Sequence, residues 1–114
     1  MFAAHHRLSN LVVIVDVNGQ QAFGFTRDVL DLAPLCQRWR AFNWDVHVVD
    51  GHSQSEMRST INDLNFRDGQ PHVLIANTIF GKGVSFMENQ IKWHYSPLSD
   101  DEYEKARKEL RGQA

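Results

Sequence analysis

Hydrophobic positions along this chain follow two different periods. Leu11-Val12-Val13-Ile14-Val15 is an unbroken, mostly β-branched run, which predicts a central parallel strand buried on both faces. It stops at Asp16-Val17-Asn18-Gly19, polar residues at a strand's carboxyl end, where open α/β sheets bind ligands. Residues 19 to 29 show no period and read as loop. Leu32, Leu35, Trp39 and Phe42 then share one face at helical spacing, predicting a helix with Asp31 as N-cap and Pro34 in its first turn. Val46 to Val49 is a short strand that ends at the turn signal Asp50-Gly51. Ser53-Gln54-Ser55-Glu56 has the spacing of a capping box and opens a helix with Met57, Ile61 and Leu64 on its apolar face. That helix breaks at Arg67-Asp68-Gly69-Gln70-Pro71, and Val73 to Ala76 is another buried strand. Residues 79 to 98 are a long loop rich in Gly, polar and aromatic residues. Ser99-Asp100-Asp101-Glu102 is a second capping box, heading a helix lined by Tyr103, Ala106 and Leu110.

The order strand, helix, strand, helix, strand, loop, helix predicts an α/β fold with parallel strands joined by crossovers. The expected strands are Leu11 to Asp16, Val46 to Asp50 and His72 to Thr78. So few strands leave sheet edges needing cover, which favours self-association or docking onto a partner. Met1 to Leu8 reads as the end of a helix whose beginning lies upstream.

A length of 114 residues gives one domain or a piece of one. With a net charge of -2 there is no basic field, so neither nucleic acid nor an anionic membrane is the expected partner. The single cysteine, Cys36, rules out an internal disulfide and a Cys-cluster metal site, consistent with a cytoplasmic setting. The longest apolar run is far too short to cross a bilayer.

Three features carry possible chemistry. In Asp16-x-Asn18, a side-chain amide oxygen near a backbone carbonyl is a hard donor set suited to Mg²⁺ or Ca²⁺, although Asx at a strand end is more often a turn former. Gly81-Lys82-Gly83 lets backbone approach a ligand closely and adds a point charge, but it also suits a solvated turn. His94 is a lone histidine in an aromatic loop. His5, His6, His47, His52 and His72 carry no comparable signal, and no carboxylate cluster is visible, which disfavours a metal-dependent hydrolase.

Three stretches together give these features a context. FAAHHRLSNLVVIVDVNGQQAFG, LAPLCQRWRAFNWDVHVVDGHS and IANTIFGKGVSFMENQIKWH resemble, in order and without large insertion, the metal-binding segment and its continuation in transketolases. The likeness is to the short, split members whose N-terminal subunit is a separate polypeptide. It implies a partial thiamine-diphosphate-binding fold, a parallel sheet flanked by helices, over residues 1–114. The implied cofactors are thiamine diphosphate and Mg²⁺ (or Ca²⁺). Asn18 would bind the metal through its side chain and Gln20 through its backbone carbonyl. Gly81 and Lys82 would lie beside the cofactor, and His94 would be the catalytic histidine near the diphosphate and the reacting carbon. The implied reaction is transfer of a two-carbon ketol unit between sugars. The implied partners are sugar substrates and a C-terminal transketolase subunit or further domains, in a homo- or hetero-oligomer.

Phe23, Phe80 and Tyr95 depart from common family residues (Asp, Lys and Gly respectively), which points to a specialised relative acting on an unusual sugar. The family's Gly-Asp-Gly segment, with its metal-binding Asp, lies farther upstream than the 17 residues that precede Asn18 here. The glutamate that activates the cofactor belongs to another domain. The isolated chain is therefore expected to be inactive and to bind the cofactor poorly. The alternative is a non-catalytic remnant or a partner-binding α/β module.

Overall fold

The computed structural model describes residues 1–112. They form two compact units, one of Met1–Val17 with Leu32–Thr78, the other of Asn18–Asp31 with the segment that begins at Ile79.

The first unit is a three-stranded parallel sheet with helices. Its elements are α1 (Phe2–His5), β1 (Val12–Val17), α3 (Leu35–Ala41), β4 (Asp45–Asp50), α4 (Gln54–Asn62) and β5 (His72–Asn77), and the strand order is β1-β5-β4. In register, Val12 and Asp45 both pair with His72, and Val17 and Asp50 both pair with Asn77. Side chains alternate across the sheet. One face therefore packs Val49, Leu74 and Ala76 against Leu64, with Val12 and Met57 at the margin. The other face packs Val73, Ile75 and Trp44 with Val13, Val15, Val46, Ala3, Ala4, Leu35 and Trp39.

The three expected strands are present to within a residue or so at each end. The central position, expected for Leu11–Val15, belongs instead to β5. Pro71 to Ala76 are all buried, whereas β1 is an edge strand whose Ile14 is 54% exposed. Both runs are apolar enough for the centre, and only pairing on two sides distinguishes them.

Helix α3 starts later than expected. Pro34, not Asp31, is the N-cap, and no side chain caps the helix. At its other end Asn43 adopts the left-handed region, with φ 62°. Asn43 N–H then donates to Arg40 O, and Trp44 N–H to Trp39 O. This is a Schellman termination, and its usual apolar contact is made by Trp39 and Trp44, edge to face at 4.8 Å. The box at Ser53 is half formed. Its hydroxyl accepts from Glu56 N–H, but Ser53 N–H donates to Asp50 O rather than to the glutamate. That bond belongs to the tight turn after β4, where Gly51 N–H donates to Asn77 O. A Cβ on Gly51 would stand 2.4 Å from Thr78 Cγ2, so any side chain there would force Thr78 to shift.

The second unit holds a small antiparallel pair, β2 (Gln20–Gln21) and β3 (Gly24–Phe25), then the helical turn α2 (Thr26–Val29). Residues 19 to 29, expected as loop, therefore contain short regular structure. After Ile79 come a series of turns, a 3-10 turn over Ile91–His94, and helix α5 (Asp100–Arg111). The box at Ser99 is complete, with Ser99 and Glu102 each accepting from the other's backbone N–H. Of the predicted apolar line on α5 only Ala106 is buried; Tyr103 and Leu110 are each 52% exposed. Among the described residues, no helix is long and apolar enough to cross a membrane.

Candidate functional site

The chain leaves the sheet at two neighbouring strand ends, since Val17 and Asn77 are register partners. Thr78 fastens them together: its N–H donates to Val17 O and its hydroxyl to an Asp16 carboxylate oxygen. Asp16 thus shapes the strand ends.

Beyond this point lie Asn18 and Gln20. Asn18 Oδ1 accepts from Gln20 N–H at 2.9 Å, an Asx turn. Gly19 between them has φ +73°, with no atom within 4 Å of where a side chain would start. Its carbonyl accepts from Thr26 N–H at 2.9 Å. The turn thereby holds the Asn18 oxygen in place and leaves the backbone open beside it. Gln20 is buried, and neither polar atom of its side chain has a partner in the chain. An orphaned buried amide costs about 1–3 kcal/mol and calls for a group from outside to complete it.

His94 closes the 3-10 turn, and that turn lies against β2, the strand carrying Gln20. Phe80 stacks on the imidazole, centroids 4.6 Å apart and planes 16° from parallel. Phe80 is followed by Gly81, whose φ of +72° suits glycine, and a Cβ there would lie 2.6 Å from Met87 O. Lys82 is half exposed, its ammonium 3.9 Å from Glu88 Oε1. Glu88 also accepts from Gly83 N–H, which ties the turn together. All five residues singled out in the sequence therefore belong to the second unit. Gln20 and His94 sit on elements in contact, and Gly81 adjoins the His94 turn through Phe80. Lys82 pairs within its own loop.

The anchors of this unit are polar. Ser85 gives both its N–H and its hydroxyl to the Glu109 carboxylate. These bonds hold Glu109 below the ordinary carboxylate range. Glu102 is held low by the backbone N–H and hydroxyl of Ser99 and by the Lys92 ammonium. Trp93 Nε1 donates to Phe86 O at 3.0 Å, and Lys92 and Lys105 lie over the Trp93 and Phe86 rings.

One cluster in the first unit is not apparent from the sequence. Asp45 Oδ2 receives His47 Nε2 at 2.7 Å and His72 Nδ1 at 2.9 Å. Burial works against the charged form of Asp45, but the two imidazole hydrogen bonds and the histidines' charge outweigh it and lower its pKa. The available signal was Asp45-x-His47, two residues on one strand face. Its partner His72 is 27 residues from Asp45 and is brought there only by strand register.

The family described as "Transketolase, thiamine diphosphate binding domain" matches residues 1–113. The chain is 40% identical over 109 residues to one subunit of an apulose-4-phosphate transketolase from Actinobacillus succinogenes, covering 96% of this chain and 39% of that one. It is 37% identical over 110 residues to a 6-deoxy-6-sulfo-D-fructose transketolase subunit of a Clostridium species, covering 96% and 40%. Against human transketolase it is 32% identical, covering 98% and 18%. The chain thus spans about two-fifths of the length of these subunit relatives. Its fold superposes on transketolase from Campylobacter jejuni with a TM-score of 0.86 at 24% identity, over 96% of this chain and 17% of that one.

Proposed function

The chain belongs to the transketolase thiamine diphosphate binding domain family, and on that premise we propose that it is a cofactor-holding component of a two-carbon ketol transferase that works with a partner subunit. The observation that carries this reading is the Asn18–Gln20 turn, with its buried, unpartnered amide, against the turn that bears His94. Its donors suit a divalent cation on a diphosphate: a hard amide oxygen on Asn18, a backbone carbonyl on Gln20, and an open glycine between them. In this proposal Asn18 and Gln20 ligate Mg²⁺ (or Ca²⁺), and Gly81 and Lys82 border the diphosphate. His94 holds or moves a proton at its imidazole beside the reacting sugar. Thiamine diphosphate supplies the carbanion chemistry when bound, and the protein contributes placement and electrostatics.

A partner subunit follows from relatives that are themselves named as single subunits of transketolases, and the rest of the ligand set would come from it or from further segments of a subunit-length chain. The substrate is proposed to be a ketose of the specialised kind in those names, a sugar phosphate or sulfosugar. The alternative, a second reading, is a non-catalytic remnant or partner-binding α/β module that keeps the scaffold but transfers no ketol unit.

Titration calorimetry with thiamine diphosphate and Mg²⁺ tests the first reading. Weak binding is expected for the chain alone and stronger binding with a candidate partner subunit. Asn18→Ala should weaken binding on the order of tenfold or more at limiting Mg²⁺, because a methyl group cannot replace an oxygen ligand. Unchanged affinity in that variant would remove Asn18 from the site. Cofactor binding without ketol transfer in the mixture would favour the second reading.

A further inference from the structure

At the amino-terminal edge of the sheet, Asp45 and His72 are the first residues of β4 and β5 and are paired in register. His47 lies two residues along β4, so all three side chains share the face that packs on α4. Strand pairing therefore fixes the three groups before any ligand arrives. His72 is fully buried, while Asp45 and His47 are each about a third exposed, which makes a dry floor beneath an open mouth. We propose that His47 Nε2, His72 Nδ1 and Asp45 Oδ2 form a three-ligand site for a borderline divalent metal such as Zn²⁺, with a fourth position open to water.

Two imidazoles and one carboxylate are a donor set that catalytic zinc sites use, and they contrast with the all-oxygen sets of Mg²⁺ and Ca²⁺. The ligating atoms lie within 4.8 Å of one another. Bond lengths of about 2.0–2.1 Å place tetrahedral ligand atoms roughly 3.3 Å apart. The two hydrogen-bonded pairs, at 2.7 and 2.9 Å, would open by about half an ångström as the ion replaces the shared protons, and the two imidazole nitrogens, within 4.8 Å of one another, would draw together around it. The carboxylate leaves a charge of minus one against the ion's two, and one ion would bridge β4 to β5. Among the described residues this is the one group of three His, Cys, Asp or Glu side chains so arranged.

The test is titration of the full chain with Zn²⁺ against a chromophoric chelator, in excess Mg²⁺. One equivalent should bind, and His47→Ala and Asp45→Asn should each weaken it about tenfold or more. His5→Ala with His6→Ala should leave it unchanged, which separates the site from the adjacent histidines near the amino terminus. Co²⁺ should give the visible absorption of a four-coordinate nitrogen–oxygen site, a reading that stands even if a variant fails to fold. No binding would overturn the site and leave Asp45 as a hydrogen-bond hub alone. So would binding that survives both single variants, or a cobalt–thiolate band from Cys36.

Discussion

The two units are held together by different physics. In the sheet unit, Val73, Leu74, Ile75 and Ala76 are buried in sequence, with Trp44, Val49 and Leu64 around them. In the second unit only Val84 and Ala106 are buried apolar residues among those described. Its integrity rests on bonds such as Ser85 to Glu109, Gly83 to Glu88 and Ser99 to Glu102, and on ammonium groups over rings. Apolar burial is insensitive to pH and robust to local fluctuation, whereas exposed polar bonds are individually modest. The candidate cofactor residues all lie in the second, less apolar unit, as expected for segments that must adjust around a ligand.

The contrast can be broken most forcefully at Leu74, which is wholly buried at the centre of the sheet. Leu74→Ala should cost about 2–5 kcal/mol in urea denaturation. A loss near zero would mean that the sheet is not the stabilising core. The second unit offers a local counterpart in Gly81→Ala. Left-handed backbone costs a non-glycine residue about 1–2 kcal/mol, and the added Cβ would meet Met87 O. Amide exchange should speed up through the turns around Met87 and Glu88 while β5 keeps its protection; equal loosening of both would erase the distinction.

Acid sharpens the contrast more gently. Glu102 and Glu109 have lowered folded pKa values. Their contribution is therefore complete above the unfolded carboxylate pKa and is lost as pH falls through the lower folded values. Exchange at the Ser85 and Ser99 amides should rise only in that more acidic window. A rise centred at the ordinary glutamate pKa would show that these bonds do not persist in solution.

Much of the first unit was legible because strand and helix periods are local. The Val73–Ala76 run, the turn at Asp50-Gly51 and the box at Ser99 needed only neighbours to declare themselves. What was hidden depended on distant pairing. No local pattern ranks Leu11–Val15 below Val73–Ala76, since both are apolar and the centre is decided by which strand pairs twice. The hairpin at Gln20–Phe25 has two-residue strands, too short to show alternation. Helix α3 begins at Leu35 because the actual cap is Pro34, although Asp31 was the better capping residue by type. In the candidate site, context in the sequence marks Asn18 and His94 as candidates. The burial of the Gln20 amide and the stacking of Phe80 on His94 show only in the fold, because neither is set by adjacent residues.

The pairing of Val17 with Asn77 also bears on how the second unit is brought together. The second unit is made from two stretches separated by the whole crossover of the sheet, from Leu32 to Thr78. Until β1 and β5 zip together, those stretches are the ends of a long loop, and joining them carries its closure entropy. Once the strands are paired, the ends are held at one interstrand spacing, about 4.8 Å, and the two pieces meet as near neighbours. Pairing of the sheet should therefore lower the entropic cost of assembling the segment that carries Asn18, Gln20 and His94.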